Sequence, residues 1–313
     1  MSVKSHNQFV IYSAVVGNYD DIKQPLAVDA RFDYILFSND IKEPNIGVWQ
    51  VRPIPYTNPD NTRICRYVKT HPEEFVPEYK ASVWMDSNIR IAKSTVYDHI
   101  IELYEQGTLV ASMQHPDRNC IYDEMVMVVA IPFEEEDIVL QWGKKLRKEH
   151  YPKNNGLFET NVFYRRHTEL VARMDIFWWQ CIEEYSKRDQ LSCNYVLWKL
   201  HIPAAFFLPQ NQCVRNSYEF CYYEHAHENG KRKMANINGT YLLHQANIAF
   251  CRRDEATMQV IGRLYYNVYI LYFPSMVANV LGMYLGSKLW IIRQYGRVKR
   301  FIQRKIINSK VNY

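Results

Sequence analysis

The sequence predicts an α/β fold in which a mixed, mostly parallel sheet is flanked by helices and followed by a basic helical appendage. Three observations carry this expectation. Apolar runs of strand length recur through residues 9–208, each stopping at small polar residues, with helical patterns between them. The chain has 313 residues, 48% of them hydrophobic, which suffices for one large core plus an appendage and excludes disorder as the default. The net charge of +5 is unevenly placed: no acid follows Glu255, whereas nine lysines and arginines do, which leaves residues 1–255 at −4. The expected division is therefore a mildly acidic domain over 1–255 and a basic segment over 256–313.

The first expected strand, Phe9–Val16, breaks at Gly17-Asn18-Tyr19-Asp20, a turn-forming set directly after a β-branched run. Tyr34–Phe37 stops at Ser38-Asn39-Asp40, and Val48–Ile54 is the third strand candidate. Residues 57–72 are polar and basic, with Arg63, Arg66 and Lys69 at a spacing of three that aligns them along one side of a helix. The run Tyr79–Met85 then leads into Asp86-Ser87-Asn88. Alternation at period two sends Asp86 and Asn88 to the same side of an extended chain, at the carboxyl end of a buried strand, where open α/β sheets bind ligands. A helix over Val96–Gln106 and a strand over Thr108–Met113 follow, the latter ending at His115-Pro116-Asp117-Arg118. Helical patterns cover Tyr122–Val129 and Glu135–Glu149, and the acidic run Glu134–Asp137 suits the positive end of the second helix dipole. Thr160–Tyr164 reads as a short strand, Thr168–Tyr185 as a helix capped by Thr168, and Ala204–Leu208 as a last short strand. This β-α-β rhythm is that of a largely parallel sheet. Residues 209–240 turn polar and loop-like, a length that suggests function.

Seven scattered cysteines, odd in number and without Cys-x-x-Cys spacing, argue against a zinc knuckle or a disulfide framework and for a reducing compartment. No long apolar segment precedes the first strand, so no secretory signal is expected. Leu264–Leu285 is interrupted by Asn267, Pro274, Asn279 and Gly282 and makes a poor spanning helix. In the tail, Ile291, Tyr295, Val298, Ile302 and Ile306 fall at helical spacing beside Arg293, Arg297, Arg300 and Arg304. That pattern fits a helix lying on an anionic membrane surface through 287–313, or one packed on the body or a second subunit. A cytoplasmic protein, held peripherally at the inner face of the membrane, is expected, with no nucleic-acid partner.

Oxygen ligands such as Asp86 and Asn88 suit hard divalent cations, Mg²⁺ or Mn²⁺, that neutralise a departing diphosphate; alone they also read as turn caps. Arg63, Arg66 and Lys69 are candidates to face the same diphosphate, or form a solvated helix face. His115 and Arg118, at a strand end on the same rim, are candidates for acceptor hydroxyls or phosphate oxygens. Asp189 and Gln190 lie at a helix start, where Asp189 could instead cap the helix. His225, His227 and His244 are possible third metal ligands; His244 is the one carried forward.

Taken in order, Ile11–Asp20, Asn61-x-Arg63-x-x-Arg66-x-x-Lys69, Tyr79–Asn88, His115-Pro-x-Arg118, Tyr122-x-Glu124, Gly156–Glu159, Arg165–His167 and Arg188–Ser192 resemble the glycosyltransferase-like domain of plant mucilage and turgor-regulation proteins and of bacterial surface-polysaccharide gene products. The resemblance covers about residues 8–210 and implies a GT-A-like fold that binds a nucleotide sugar on a Rossmann-like sheet. By it, Val15, Gly17 and Tyr19 lie near the base and ribose, and Asp86 with Asn88 takes the place of an Asp-x-Asp metal motif, with Asn88 where a second acid is usual. Asp189-Gln190 is also similar to the Asp-Gln of retaining lipopolysaccharide hexosyltransferases. The implied reaction moves a hexose from a nucleotide-diphosphate sugar to a hydroxyl of a glycan or lipid-linked acceptor in surface polysaccharide or lipopolysaccharide synthesis. Asp189 or Gln190 would stabilise charge at the anomeric carbon; if the reaction inverts, Asp189 and Glu159 are the candidate general bases. The rival readings are a non-catalytic nucleotide- or glycan-binding scaffold and a sugar-phosphate or nucleotidyl transferase.

Overall fold

The computed structural model describes residues 7–130 and 133–225. Within them the elements run β1 (Phe9–Ala14), β2 (Phe32–Phe37), β3 (Asn45–Ile46), β4 (Trp49–Arg52), α1 (Asn61–Thr70), α2 (Pro72–Phe75), β5 (Ala81–Met85), β6 (Ile89–Ile91), α3 (Thr95–Glu105), β7 (Val110–Gln114), α4 (Ile121–Ala130), α5 (Glu136–Lys148), β8 (Phe158–Arg166), α6 (Glu169–Glu184), α7 (Gln190–Lys199), β9 (Ala204–Phe206) and β10 (Phe220–Tyr222). Eight strands form one sheet in the order β3-β4-β2-β1-β5-β8-β7-β9, and β6 pairs with β10 in a separate antiparallel ribbon. Strands β4, β2, β1, β5, β7 and β9 share one direction; β3 and β8 run against them. The expected mixed, mostly parallel sheet is present.

Every residue of β1 and β5 is buried, as a central strand covered on both faces requires. Ile11, Leu36, Val83 and Tyr164 meet in one core with Tyr97 and Ile100 of α3. One device shapes the rim. After β1 the chain turns through Gly17 and Asn18, both at positive φ (68° and 49°), and their N–H groups donate to Asp40 Oδ2 at 2.6 and 3.4 Å, tying the loop after β1 to the loop after β2. On the far side, Thr168 Oγ1 accepts from Val171 N at 3.3 Å and caps α6 as expected.

Two expectations are corrected. The extended chain does not continue through Asn88: Ile89 N donates to Asp86 O at 3.0 Å, closing a turn that ends β5 and starts β6 in the second ribbon. Asp and Asn are turn formers, and here that tendency overrides the alternation read across them. The strand after α5, expected over Thr160–Tyr164, spans Phe158–Arg166 and runs antiparallel to β5, so its first residues stand at the carboxyl rim of the parallel strands. It also leaves register: Ser112 faces Phe163 but Met113 faces Glu159, so Thr160–Val162 bulge out of the β7 ladder. His244 and the segments 256–313 and 287–313 lie outside the described residues.

Candidate functional site

A cleft of about 240 Å³ opens at the carboxyl rim of the sheet. Its wall is built from the end of β1 (Val15, Val16, Tyr19), one face of α1 (Asn61, Cys65, Arg66, Lys69), the turn Asp86-Ser87-Asn88, the start of β8 (Glu159, Thr160, Asn161), the entry to α7 (Lys187, Arg188, Asp189, Gln190), and Arg215, Tyr222 and His225. Five cationic side chains (Arg66, Lys69, Lys187, Arg188, Arg215) and three carboxylates (Asp86, Glu159, Asp189) line it. The excess of cations suits an anionic ligand.

The most buried of these charges form one cluster. Asp189 Oδ2 accepts from Lys69 Nζ and, at 2.7 Å, from Thr160 Oγ1, while Arg66 Nε lies 3.1 Å from Oδ1. Asp189 and Lys69 are 2% and 1% exposed, so neither charge survives without the other. Burial alone would raise the Asp189 carboxyl; Arg66 and Lys69 more than offset it and hold the group well below the usual carboxylate range. Asp189 stands at the N-cap position of α7 without making a side-chain cap bond, because its carboxylate is turned to Lys69. Its carbonyl accepts from Trp178 Nε1 at 3.1 Å. Beneath Lys69, the wholly buried Arg165 donates to the Lys69 carbonyl at 2.9 Å and pairs with Asp175 at 2.8 Å, fixing the end of α1.

Around the turn, Trp84 Nε1 donates to Asp86 Oδ1 at 2.7 Å and Asp86 N to Asn161 O at 2.9 Å. Asn88 Nδ2 donates to Tyr223 O at 2.8 Å, and His225 Nδ1 lies 3.0 Å from Asp20 Oδ2 with its ring edge-on to Tyr19. Glu159 Oε1 takes the guanidinium of Arg215, which also stacks over Tyr222 at 4.7 Å. Burial raises the Glu159 carboxyl above its ordinary value although Arg215 acts the other way. Arg188 Nη2 donates to Gln190 Oε1 at 3.1 Å.

Of the residues singled out from sequence, Val15, Tyr19, Arg66, Lys69, Asp86, Asn88, Glu159, Asp189 and Gln190 line this cleft. Gly17 shapes the adjoining loop; a Cβ there would stand 1.9 Å from Asn61 Nδ2. Arg63 does not reach the cleft wall: its guanidinium donates to the carbonyls of Ile182, Glu183 and Tyr185 at the end of α6. Each three-residue step on an α-helix falls about 60° short of a full turn, so Arg63 and Lys69 diverge by about 120°. His115 and Arg118 also lie off the wall, closed into a cluster in which Arg118 donates to Glu124 at 2.6 Å and approaches His115 Nε2 at 2.9 Å. Sequence reasoning missed Thr160, Asn161, Arg215 and Tyr222. The first two adjoin Glu159 in the chain, but nothing local signals the reversed strand direction that brings them to the rim.

Among the described residues no three His, Cys, Asp or Glu side chains gather as a self-contained metal cage. The donor set nonetheless fits one kind of cation. With Asp86 Oδ1 held by Trp84 and Asn88 Nδ2 held by Tyr223, one carboxylate oxygen and one amide oxygen remain to offer, the sparse oxygen set of a Mg²⁺-type ion that takes most of its shell from water and phosphate.

The sheet and its rim cleft define a mixed α/β protein with a cation-rich cleft at the carboxyl edge of its strands. A family model described as TOD1/MUCI70, glycosyltransferase-like domain, matches residues 1–227, and the chain belongs to that family. No curated protein matches in sequence. Among solved structures the chain is similar to the bifunctional glycosyltransferase WbbM (14% identity, TM-score 0.39, covering 77% of this chain and 44% of that one). It is also similar to core-mannan synthase A of Aspergillus fumigatus in its Mn/GDP form (11%, 0.38, 63% and 71%) and to the mannosyltransferase Ktr4p of S. cerevisiae (11%, 0.36, 61% and 65%). These are distant likenesses, and membership rests on the family match.

Proposed function

We propose that the protein is a glycosyltransferase that moves a hexose from a nucleotide-diphosphate sugar to a hydroxyl of a glycan or lipid-linked acceptor. The observation that carries this reading is the cleft itself, where the Asp86-Ser87-Asn88 turn shares one rim with the Arg66-Lys69-Asp189 cluster in a chain of the glycosyltransferase-like family. In this reading the base and ribose lie near Val15 and Tyr19, and the diphosphate against Arg66 and Arg188. Asp86 and Asn88 would hold a divalent cation, which supplies charge neutralisation to the departing diphosphate.

Asp189 serves as a fixed negative charge near the anomeric carbon. Both its oxygens already accept or pair, and its carboxyl is held in the ionised form, so it is a poor proton acceptor. For an inverting reaction that leaves Glu159, whose affinity for a proton burial has raised, as the better base of the two; in a retaining reaction Glu159 is free for the donor sugar. The acceptor would be a surface glycan or lipid-linked precursor met at the inner face of the membrane, with 287–313 as the membrane-associating segment. The test is turnover of a nucleotide-sugar panel by the full chain with Mn²⁺ or Mg²⁺: Asp86→Ala is expected to abolish it while the unfolding transition is retained. Unchanged turnover in that variant would refute the site.

A further inference from the structure

We infer that Glu159 and Asn161 form the subsite for the hydroxyls of the transferred sugar, an inference that rests on the glycosyltransferase reading and assigns the cleft's β8 wall to the hexose. Both residues line the cleft and are 6% and 8% exposed. Arg215 occupies one Glu159 oxygen and the Asn161 amide also hydrogen-bonds this carboxyl and lowers its affinity for a proton, but no described residue lies in hydrogen-bond range of Glu159 Oε2 or of Asn161 Oδ1. Buried acceptors left in that state are rare and costly in native proteins. Here two of them occur two residues apart, Glu159 at the pairing with Met113 that borders the bulge and Asn161 within the bulge itself.

The chemistry of what would satisfy them is restrictive. Both atoms accept, so the ligand must donate, and a phosphate brings only acceptors and a charge that Glu159 repels. A hexose brings several O–H groups on neighbouring carbons. Thr160, between the two, donates its hydroxyl to Asp189 at 2.7 Å, so consecutive residues serve the sugar and the buried carboxylate in turn. The donor is thereby oriented, with its diphosphate toward Arg66 and its ring toward β8.

Titration calorimetry on the full chain tests this, using whichever of UDP-glucose, UDP-galactose and GDP-mannose binds best, together with its own nucleoside diphosphate. Asn161→Ala and Glu159→Gln should each weaken the nucleotide sugar about tenfold while changing nucleoside diphosphate affinity less than about twofold. On the unaltered chain, deoxy analogues of the same sugar should include one that binds about tenfold more weakly, a comparison that needs no variant to fold. Equal losses for sugar and diphosphate, or none for the sugar in variants and analogues alike, would overturn the subsite and leave the donor reading standing. Binding of neither ligand to the unaltered chain would overturn both.

Discussion

A carboxylate buried between a lysine and an arginine keeps its place only while all three stay charged, because the protein supplies no water to compensate a lost partner. Asp189 is in that position, and Asp189→Asn should cost about 3–5 kcal/mol in denaturant unfolding; a loss below about 1 kcal/mol would mean that the cluster is not the anchor of the cleft. Its folded pKa is depressed, so its stabilisation is present above the unfolded value of about 3.9 and is lost only as pH falls through the lower folded one. In the milder acid range two buried histidines act against the fold, while the buried carboxyls of Asp175 and Glu159, raised by desolvation, act the other way. Burial first, and neighbouring arginines next, push His115 down to about 2 and His167 down to about 4. At these two histidines the unfolded chain therefore takes up protons below about pH 6.5 that the folded chain refuses. From pH 6.5 towards pH 4 the melting temperature of His167→Gln should fall less, or rise more, than that of the unaltered chain; an identical slope in the variant would contradict the assignment.

At the scale of elements, the basic residues of α1 serve two different things because they diverge around the helix. Its later residues, Arg66 and Lys69, serve the cleft, whereas Arg63 closes the last carbonyls of α6. Arg63→Ala should destabilise the protein by about 2 kcal/mol while nucleoside diphosphate affinity stays within about twofold; lost affinity with full stability would place Arg63 back at the donor. The three-residue spacing was legible, but its divergence around the helix shows only once α6 is packed alongside. Strands β1, β2, β5 and β7 were legible because buried strands write themselves as apolar runs closed by polar residues, and α6 because Thr168 caps a periodic segment. The direction of β8 was not, since a run such as Val162-Phe163-Tyr164 reads the same in either orientation and its neighbours are chosen by distant pairing. With that direction went Thr160, Asn161 and the rim position of Glu159. Asp86 was placed correctly at a strand end, yet the turn after it, and the Tyr223 carbonyl that holds Asn88, depend on a segment 135 residues away.

For the whole molecule, the family match and the cleft occupy the part of the chain up to about residue 227, while the basic charge lies beyond Glu255. Among the described residues no helix is long and apolar enough to cross a membrane. If 287–313 associates with an anionic surface, the full chain should co-sediment with phosphatidylserine vesicles at about 0.1 M salt, less at higher salt, and not after deletion of 287–313; equal sedimentation of the truncated chain would rule the segment out. The central claim is that the rim cleft holds a nucleotide-sugar donor at Asp86. A ligand that binds only the folded chain stabilises it, by about 2.7 kcal/mol at a hundred times its dissociation constant. The most direct measurement is therefore the unfolding midpoint of the full chain, and of Asp86→Ala, with UDP-, GDP-, CMP- and dTDP-sugars in the presence and absence of Mn²⁺. At least one donor should raise the midpoint of the unaltered chain, more so with Mn²⁺, and the gain should be missing in Asp86→Ala; no shift with any donor, or the same shift in both chains, would contradict it.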